Sequence, residues 1–319
     1  MALNYNLTRK RENTITSYRK TVLIYNPQAG KIRRHGGALI ERTIEILGKQ
    51  GHSVTPAPTT GPGMAGSLAR EQIEGGADLI LAAGGDGTVN EVAEGMVHSR
   101  VPLGVLPAGT ANVLAMEMRL GSRMERVAAR LGECTPRRIS VGRLTNGAAR
   151  PRHFLLMAGI GLDAHIVYHV SAGLKARVGK LAYWVAGWSL LGRRLAQIHA
   201  EVNGYPRECS FALVSKVKNY GGDFEIARAV TLFEDCFEVV LFQGRSTLPY
   251  VKYFAGLALG RLAGLKGVEV LRAARVRLSG PEDGRVYVQI DGEYAGHLPA
   301  EVSIVPDALT LLVPPGYNS

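Results

Sequence analysis

The sequence predicts an α/β half followed by a mainly antiparallel β half. Three observations carry this. Short apolar runs alternate with helical patterns over the first 144 residues. Glycine-bearing loops follow several of those runs, and after about Arg143 β-rich segments take over. Repeated strand-loop-helix units imply an open, mostly parallel sheet, whose ligands sit beyond the carboxyl ends of the strands.

The elements follow in order. Val22-Leu23-Ile24-Tyr25 reads as a strand ending at Asn26-Pro27, and a helix follows with Ile40, Ile44 and Leu47 on one stripe. His52 to Thr55 is a second strand and Met64 to Ile73 a second helix. Asp78 to Ala83 reads as a third strand, apolar after its first residue, as a strand covered on both faces must be. A helix from Thr88 to Val97, a strand from Val101 to Leu106 and a helix from Thr110 to Met118 complete the α/β part. Further on, Phe154–Met157, Cys209–Val214, Glu238–Phe242, Val276–Leu278, Val286–Ile290 and Val302–Val305 read as strands. Helical patterns fall at Asp163–Val170, Lys180–Leu195 and Leu248–Leu262. The predicted organisation is a mobile tail over 1–18, an α/β domain over 19–144 and a β-sandwich domain over 145–319, with the extreme C-terminus free to pack back on the first domain.

Composition narrows the class. The chain has 319 residues, 46% hydrophobic and 20% charged, which is globular rather than disordered. Its formal charge of +11 favours an anionic partner, either nucleotide phosphate or phospholipid headgroups. The basic residues are scattered without interleaved aromatics, which argues against nucleic acid. Cys134, Cys209 and Cys236 have neither metal-ligand nor disulfide-framework spacing, so a reduced, cytoplasmic protein is expected. The N-terminus lacks the apolar stretch of a signal peptide. The apolar run Leu181–Gly192, flanked by Lys180 and Arg193-Arg194, is shorter than the ~20 residues a membrane span needs. It reads either as a packing helix or as an amphipathic surface presenting Trp184 and Trp188 to lipid.

Four segments carry candidate chemistry. In Gly84-Gly85-Asp86-Gly87-Thr88 a strand enters a glycine-dense turn and a helix begins at once, so backbone N–H groups and the helix dipole face an anion. Asp86 is suited to Mg²⁺ rather than to phosphate itself, while the plain alternative is a tight connecting turn. The segment is neither a Walker A loop nor a dinucleotide fingerprint. Pro107-Ala108-Gly109-Thr110-Ala111-Asn112 repeats the design with Thr110 as the expected N-cap, and it is equally readable as a capped helix start. Asn26-Pro27-Gln28-Ala29-Gly30-Lys31 offers an amide for base or ribose and an ammonium for phosphate, or is a surface turn. Asp291-Gly292-Glu293 ends an alternating strand. Asp291 is placed either to take the proton of an attacking hydroxyl or to form an Asp-Gly hairpin.

In this order the segments resemble bacterial diacylglycerol kinase and the related lipid kinases, whose catalytic module is shared with sphingosine and ceramide kinases. The resemblance runs from Thr21 to about Val313 through seven motifs in register. These are Asn26 to Gly30, Thr59-Thr60-Gly61 to Ala65, Gly84 to Thr88 with Asn90-Glu91, Pro107 to Asn112, Gly159 to Ala164, Tyr220-Gly221-Gly222 and Asp291 to Glu293. It implies a nucleotide domain like those of NAD kinase and phosphofructokinase, with ATP lying between that domain and a β-sandwich. It further implies that Asn26, Pro27, Gly30, Thr60, Gly84, Gly85, Gly87, Thr88, Glu91, Gly109, Thr110 and Asn112 line the ATP site. Asp86 would serve Mg²⁺, Asp291 would be the general base and Glu293 its support. Its lipid substrate implies work at the inner face of a membrane near anionic headgroups, and a homodimer is compatible. Val113 and Ser140 stand where family members carry acidic residues. Asp235, the candidate accessory metal ligand, is followed by Cys236 instead of glycine. An NAD kinase and a non-catalytic nucleotide- or lipid-binding regulator are the competing readings.

Overall fold

The structure, a computed structural model, describes residues 18–147, 150–161, 194–220, 224–227, 229–246, 248–281 and 286–317. The expected helices at Asp163–Val170 and Lys180–Leu195, with Trp184 and Trp188, lie outside the described residues, as does most of the predicted tail.

The first half contains β1 (Thr21–Tyr25), α1 (Gly30–His35), α2 (Gly37–Gly48), β2 (Val54–Pro58), α3 (Met64–Glu74), β3 (Leu79–Gly84), α4 (Asp86–Met96), β4 (Leu103–Pro107), α5 (Val113–Glu117) and α6 (Met124–Ala129). Strands pair in parallel in the order β2-β1-β3-β4. Alternation explains why these strands are apolar throughout. Val22, Ile24, Ile80 and Ala82 pack under α3 and α4, while Leu23, Leu79, Leu81 and Ala83 pack under α1, α2 and α6.

The second half runs β5 (Thr135–Thr145), β6 (Arg152–Phe154), β7 (Met157–Gly161), β8 (Ile198–Val202), β9 (Tyr205–Cys209), β10 (Phe211–Ser215), β11 (Asn219–Tyr220), β12 (Phe224–Glu225), β13 (Phe237–Phe242), α7 (Leu248–Ala258), β14 (Val268–Ala273), β15 (Arg275–Ser279), β16 (Tyr287–Ile290), β17 (Glu293–His297) and β18 (Ala300–Val313). An antiparallel sheet has the order β14-β13-β10-β7-β16-β17. One face of it (Ala212, Val214, Val239, Leu241) packs on Val276, Leu278 and Val302 to close a sandwich. β18 pairs antiparallel with the whole of β5 and meets β4 in parallel at Leu311–Leu103, so one sheet runs through both halves.

Two expected strands are each split. Cys209–Val214 breaks at Ser210, because β9 pairs with β8 while β10 pairs with β7 and β13 in the other sheet. Phe154–Met157 breaks because the amides of residues 155–157 turn to a carboxylate described below. The helix expected from Thr110 begins at Val113. Asn112 occupies the N-cap at φ 51°, and its amide is engaged with Gly109 instead of the helix. Thr110 is therefore not the cap.

Candidate functional site

Three loops meet beyond the carboxyl ends of β1, β3 and β4. Gly85 is extended and α4 starts at Asp86, with its first helical bond from Val89 N–H to the Gly85 carbonyl (3.1 Å). Helix geometry thus leaves the amides of Gly87 and Thr88 directed at whatever lies off the N-terminus. The β4 loop lies directly against this turn. Ala108 and Gly109 N–H both donate to the Gly84 carbonyl (2.9 and 3.0 Å). A Cβ on Gly109 would stand 2.4 Å from Gly85 Cα, so this approach requires glycine.

The β1 loop closes the third side. Asn26 Oδ1 accepts the Gln28 N–H (2.8 Å), and its Nδ2 lies 3.5 Å from Thr88 Oγ1. Pro27 is half-buried and Gly30 is exposed at the α1 start. Lys31 does not project freely towards a phosphate. Its ammonium donates to the carbonyls of Pro107 (3.3 Å) and Ser122, and burial lowers its pKa. Thr60 is exposed, following Thr59, whose N–H donates to the Tyr25 carbonyl (2.9 Å). Glu91 accepts the N–H groups of Gly63 (2.9 Å) and Ala65 (3.2 Å), so it fixes the Thr60 segment to α4 by capping α3.

Asp86 serves the loops in a way the spacing did not reveal. Burial raises its pKa, while backbone N–H groups at Val113, Leu114 and Asn112 oppose that rise. Leu114 N–H lies 3.3 Å from Oδ1, so Asp86 caps the first turn of α5 from a neighbouring helix. Val113 is buried in the core beneath it.

Facing this cradle is the β16–β17 hairpin. Ile290 pairs with Glu293, leaving Asp291 (φ 49°) and Gly292 (φ 82°) as a two-residue turn of the Asp-Gly type. The hairpin reading of Asp291 is met by this turn, and its carboxylate is itself engaged. Oδ1 accepts Leu156 N–H (3.0 Å) and Met157 N–H (2.9 Å), and Oδ2 accepts Leu155 N–H (2.9 Å). Some of the residue's surface stays open, but the carboxyl itself is deeply desolvated. That burial pushes its pKa up to about 7 against those three donors, with the charge of Asp86 adding to the rise. Asp86 and Asp291 thus approach each other across the cleft. Glu293 also reaches the cradle: its Oε1 would be 2.7 Å from a Cβ on Gly87, and Arg152 holds its other oxygen at 3.5 Å. Among the described residues no three His, Cys, Asp or Glu side chains gather as a metal site. Mg²⁺ is commonly held by one or two carboxylates completed by phosphate oxygens, and Asp86 is the carboxylate at the α4 start.

Three groups were not singled out from sequence. Glu94 of α4 accepts the His153 N–H (2.6 Å) and lies 3.1 Å from its ring Nδ1. Glu117, buried at the end of α5, accepts Lys218 N–H (2.9 Å), Asn219 Nδ2 (3.3 Å) and the Tyr317 hydroxyl (3.0 Å). Lys216 is fully buried, its ammonium on Ser140 Oγ (2.8 Å) and the Glu234 carbonyl. A lysine ending the apolar run Phe211–Ser215 was the available signal. Asp235, considered as a metal ligand, lies near this ammonium and with Cys236 partly offsets the burial that lowers its pKa to about 8.

A glycine-lined anion cradle at a helix N-terminus, faced by a desolvated carboxylate from a second sheet, is the arrangement of a two-domain phosphotransferase. The comparisons agree. Residues 20–144 match the diacylglycerol kinase catalytic domain, and residues 157–313 match the YegS C-terminal NAD kinase beta sandwich-like domain. The chain belongs to the diacylglycerol kinase family of lipid kinases. It is 28% identical to the diacylglycerol kinase of Bacillus subtilis (strain 168) over 294 residues, 88% of this chain and 91% of that one. With a diacylglycerol kinase of Staphylococcus epidermidis it shares 27% over 303 residues, covering 92% and 91%. The crystal structure of a diacylglycerol kinase from Bacillus anthracis str. Sterne has the same fold, with a TM-score of 0.76 at 21% identity over 94% of this chain and 99% of that one.

Proposed function

We propose that this protein transfers the γ-phosphoryl group of ATP to the hydroxyl of a diacylglycerol-like lipid, with residues 19–144 holding nucleotide and 145–319 holding lipid. The observation that carries the reading is the Asp291 carboxylate, held by three backbone donors opposite the α4 N-terminus. Oδ1 has two donors and Oδ2 one, so Oδ2 retains a lone pair for an acceptor hydroxyl. With a pKa of about 7, the group is basic enough to take that proton near neutrality. The hydroxyl oxygen then bonds to the γ-phosphorus as the bridging P–O bond to ADP breaks, and Asp291 keeps the proton. Gly85, Gly87, Thr88 and Gly109 position the phosphates through backbone, and Asn26, Thr60 and Thr110 border the nucleotide. Glu293 supports the base and steers the acceptor side of the cleft. Mg²⁺, held by Asp86 together with the phosphates, would neutralise charge developing there. The lipid acceptor places the enzyme at the inner face of a membrane.

The experiment is to incubate the protein with labelled ATP, Mg²⁺, NAD and a panel of diacylglycerol, monoacylglycerol, phosphatidylglycerol and long-chain bases. Label in a lipid phosphate is the expected result. Label in NADP, or no transfer from ATP that is nevertheless bound, would refute the proposal.

A further inference from the structure

Helix α7 buries one face and leaves another bare. Tyr250, Tyr253 and Leu257 are buried; Tyr250 stacks on Phe242 of β13, and Tyr253 meets Tyr250 edge to face and Phe242 at a tilt. The two hydroxyls are tied down, Tyr250 to Ser210 Oγ (3.0 Å) and Tyr253 to the Gln243 carbonyl (2.8 Å). The helix is therefore anchored. On its outer side Val251, Ala255 and Leu259 recur every four residues, and the Leu259 N–H to Ala255 carbonyl bond (3.0 Å) carries the turn past the helix end. Val251 is 52% exposed and Leu259 72%, the latter the most exposed large apolar side chain among the described residues.

Along the chain, the charge that flanks this stripe has one sign. From Val239 to Val268 the chain contains Arg245, Lys252, Arg261 and Lys266, and no aspartate or glutamate. All four basic residues are exposed. Lys252 is held beside the stripe by the Lys266 carbonyl (2.7 Å) and by the Tyr253 ring. An exposed apolar stripe rimmed by cations suits a helix lying in the plane of an anionic membrane surface. Among the described residues no helix is long and apolar enough to cross a membrane.

We propose that α7 is a docking face for an anionic phospholipid bilayer, with Val251, Ala255 and Leu259 entering the headgroup–acyl boundary and Arg245, Lys252, Arg261 and Lys266 meeting phosphates. This rests on the lipid-kinase reading, because a diacylglycerol-like acceptor resides in the bilayer. The face is also linked to the catalytic loops. α7 packs on β12, β12 pairs with β11, and β11 packs on α5, whose first turn is capped by Asp86.

The test is sedimentation, without ATP, of the full chain with vesicles of phosphatidylcholine alone or mixed with phosphatidylglycerol. Wild type should bind the anionic vesicles and release as salt rises. Val251→Asp with Leu259→Asp should weaken that binding by about tenfold, and Arg261→Glu with Lys266→Glu by a similar factor at low salt. Melting temperature and phosphorylation of detergent-dispersed diacylglycerol should be unchanged in both. Wild-type binding by the aspartate pair would overturn the proposal. So would a lowered melting temperature in that pair, which would mean that these side chains are packed within the protein. Vesicle binding through Val251 and Leu259 by a protein that phosphorylates no lipid would support docking and defeat the kinase reading alone.

Discussion

Glu94 of α4 grips His153 at both its backbone N–H and its ring, and this joins the helix that begins at Asp86 to the segment whose next amides hold Asp291. The two sides of the cleft are thus spaced through three residues of chain and one side-chain contact. Burial works to raise the Glu94 carboxyl, but the His153 contacts outweigh it and hold the pKa below the usual range. A depressed carboxylate stabilises the fold above its unfolded value and loses that contribution as pH falls through the folded one.

Glu94→Ala should therefore cost ~1 kcal/mol at pH 7 for this partly exposed contact, a difference that shrinks towards zero as pH drops below 4 (~4 being the usual carboxylate range). Urea titrations across that range check it. Turnover should fall by about tenfold with little change in ATP affinity, since the loss is one of alignment.

Asp291 has the opposite sign. Its folded pKa of about 7 lies above the ordinary value of 3.8, so the folded state binds the extra proton between those values. Stability contributed by that proton is present at low pH and is lost as pH rises through 7. On the general-base proposal activity requires the ionised form, so kcat/KM should fall tenfold per unit below an apparent pKa near 7. Asp291→Asn should lower turnover by ~10³-fold or more and flatten both the activity profile and the fall of melting temperature between pH 5 and 8 (about one unit outside the titration). Turnover near wild type in that variant would rule out the general base.

Much of this architecture was legible because periodicity and turn chemistry report burial and backbone geometry. Leu79–Ala83 is apolar throughout because both of its faces are covered, and Asp291-Gly292 announces its hairpin. Other features depend on contacts distant in sequence. β18 continues past Pro306-Asp307 because Asp307, at φ 48°, is clamped by Arg100 (3.2 Å) and Arg138 (2.7 Å), so the strand bulges and resumes. β8 and β14 are short and interrupted by charges, and only their neighbours make them strands. Thr110 looked like a cap because its residue type fits, whereas the capping carboxylate is Asp86, 28 residues away from Leu114. Spacing cannot reveal a cap supplied by another helix.

The contact between Gly109 and Gly85 is backbone against backbone, so neither side can yield by changing a rotamer. Gly109→Ala should push the β4 loop off the α4 N-terminus. The expected cost is ~1–3 kcal/mol of stability with at least a tenfold loss of ATP affinity. Calorimetric titration with ATP, beside a denaturation curve, separates the two effects. Unaltered ATP binding would mean that the phosphates do not rest against this seam.

Ser140 of β5 and Lys216, the residue after β10, bring a hydroxyl and an ammonium together. The ammonium rests on Ser140 Oγ at 2.8 Å and on the Glu234 carbonyl, which Ser140 also reaches at 2.9 Å. Burial lowers the Lys216 pKa to about 8 from 10.5, so the unfolded chain binds more protons between those values and stability rises with pH across them. Ser140→Ala removes one of two acceptors from a buried cation and should cost ~1–2 kcal/mol at pH 7. Lys216→Met removes the cation and fills similar volume, so Ser140→Ala should cost much less in its presence, with a coupling of ~1 kcal/mol or more. Chemical denaturation of the two single variants and the double variant measures that coupling. Repeating wild type and Lys216→Met at pH 8 and 10 (about the limits of the Lys216 titration) should show the rise in stability only in the protein that retains the lysine. Equal slopes in the two proteins would mean that the ammonium is solvated in the folded state, and the absence of coupling would mean that Ser140 does not hold it.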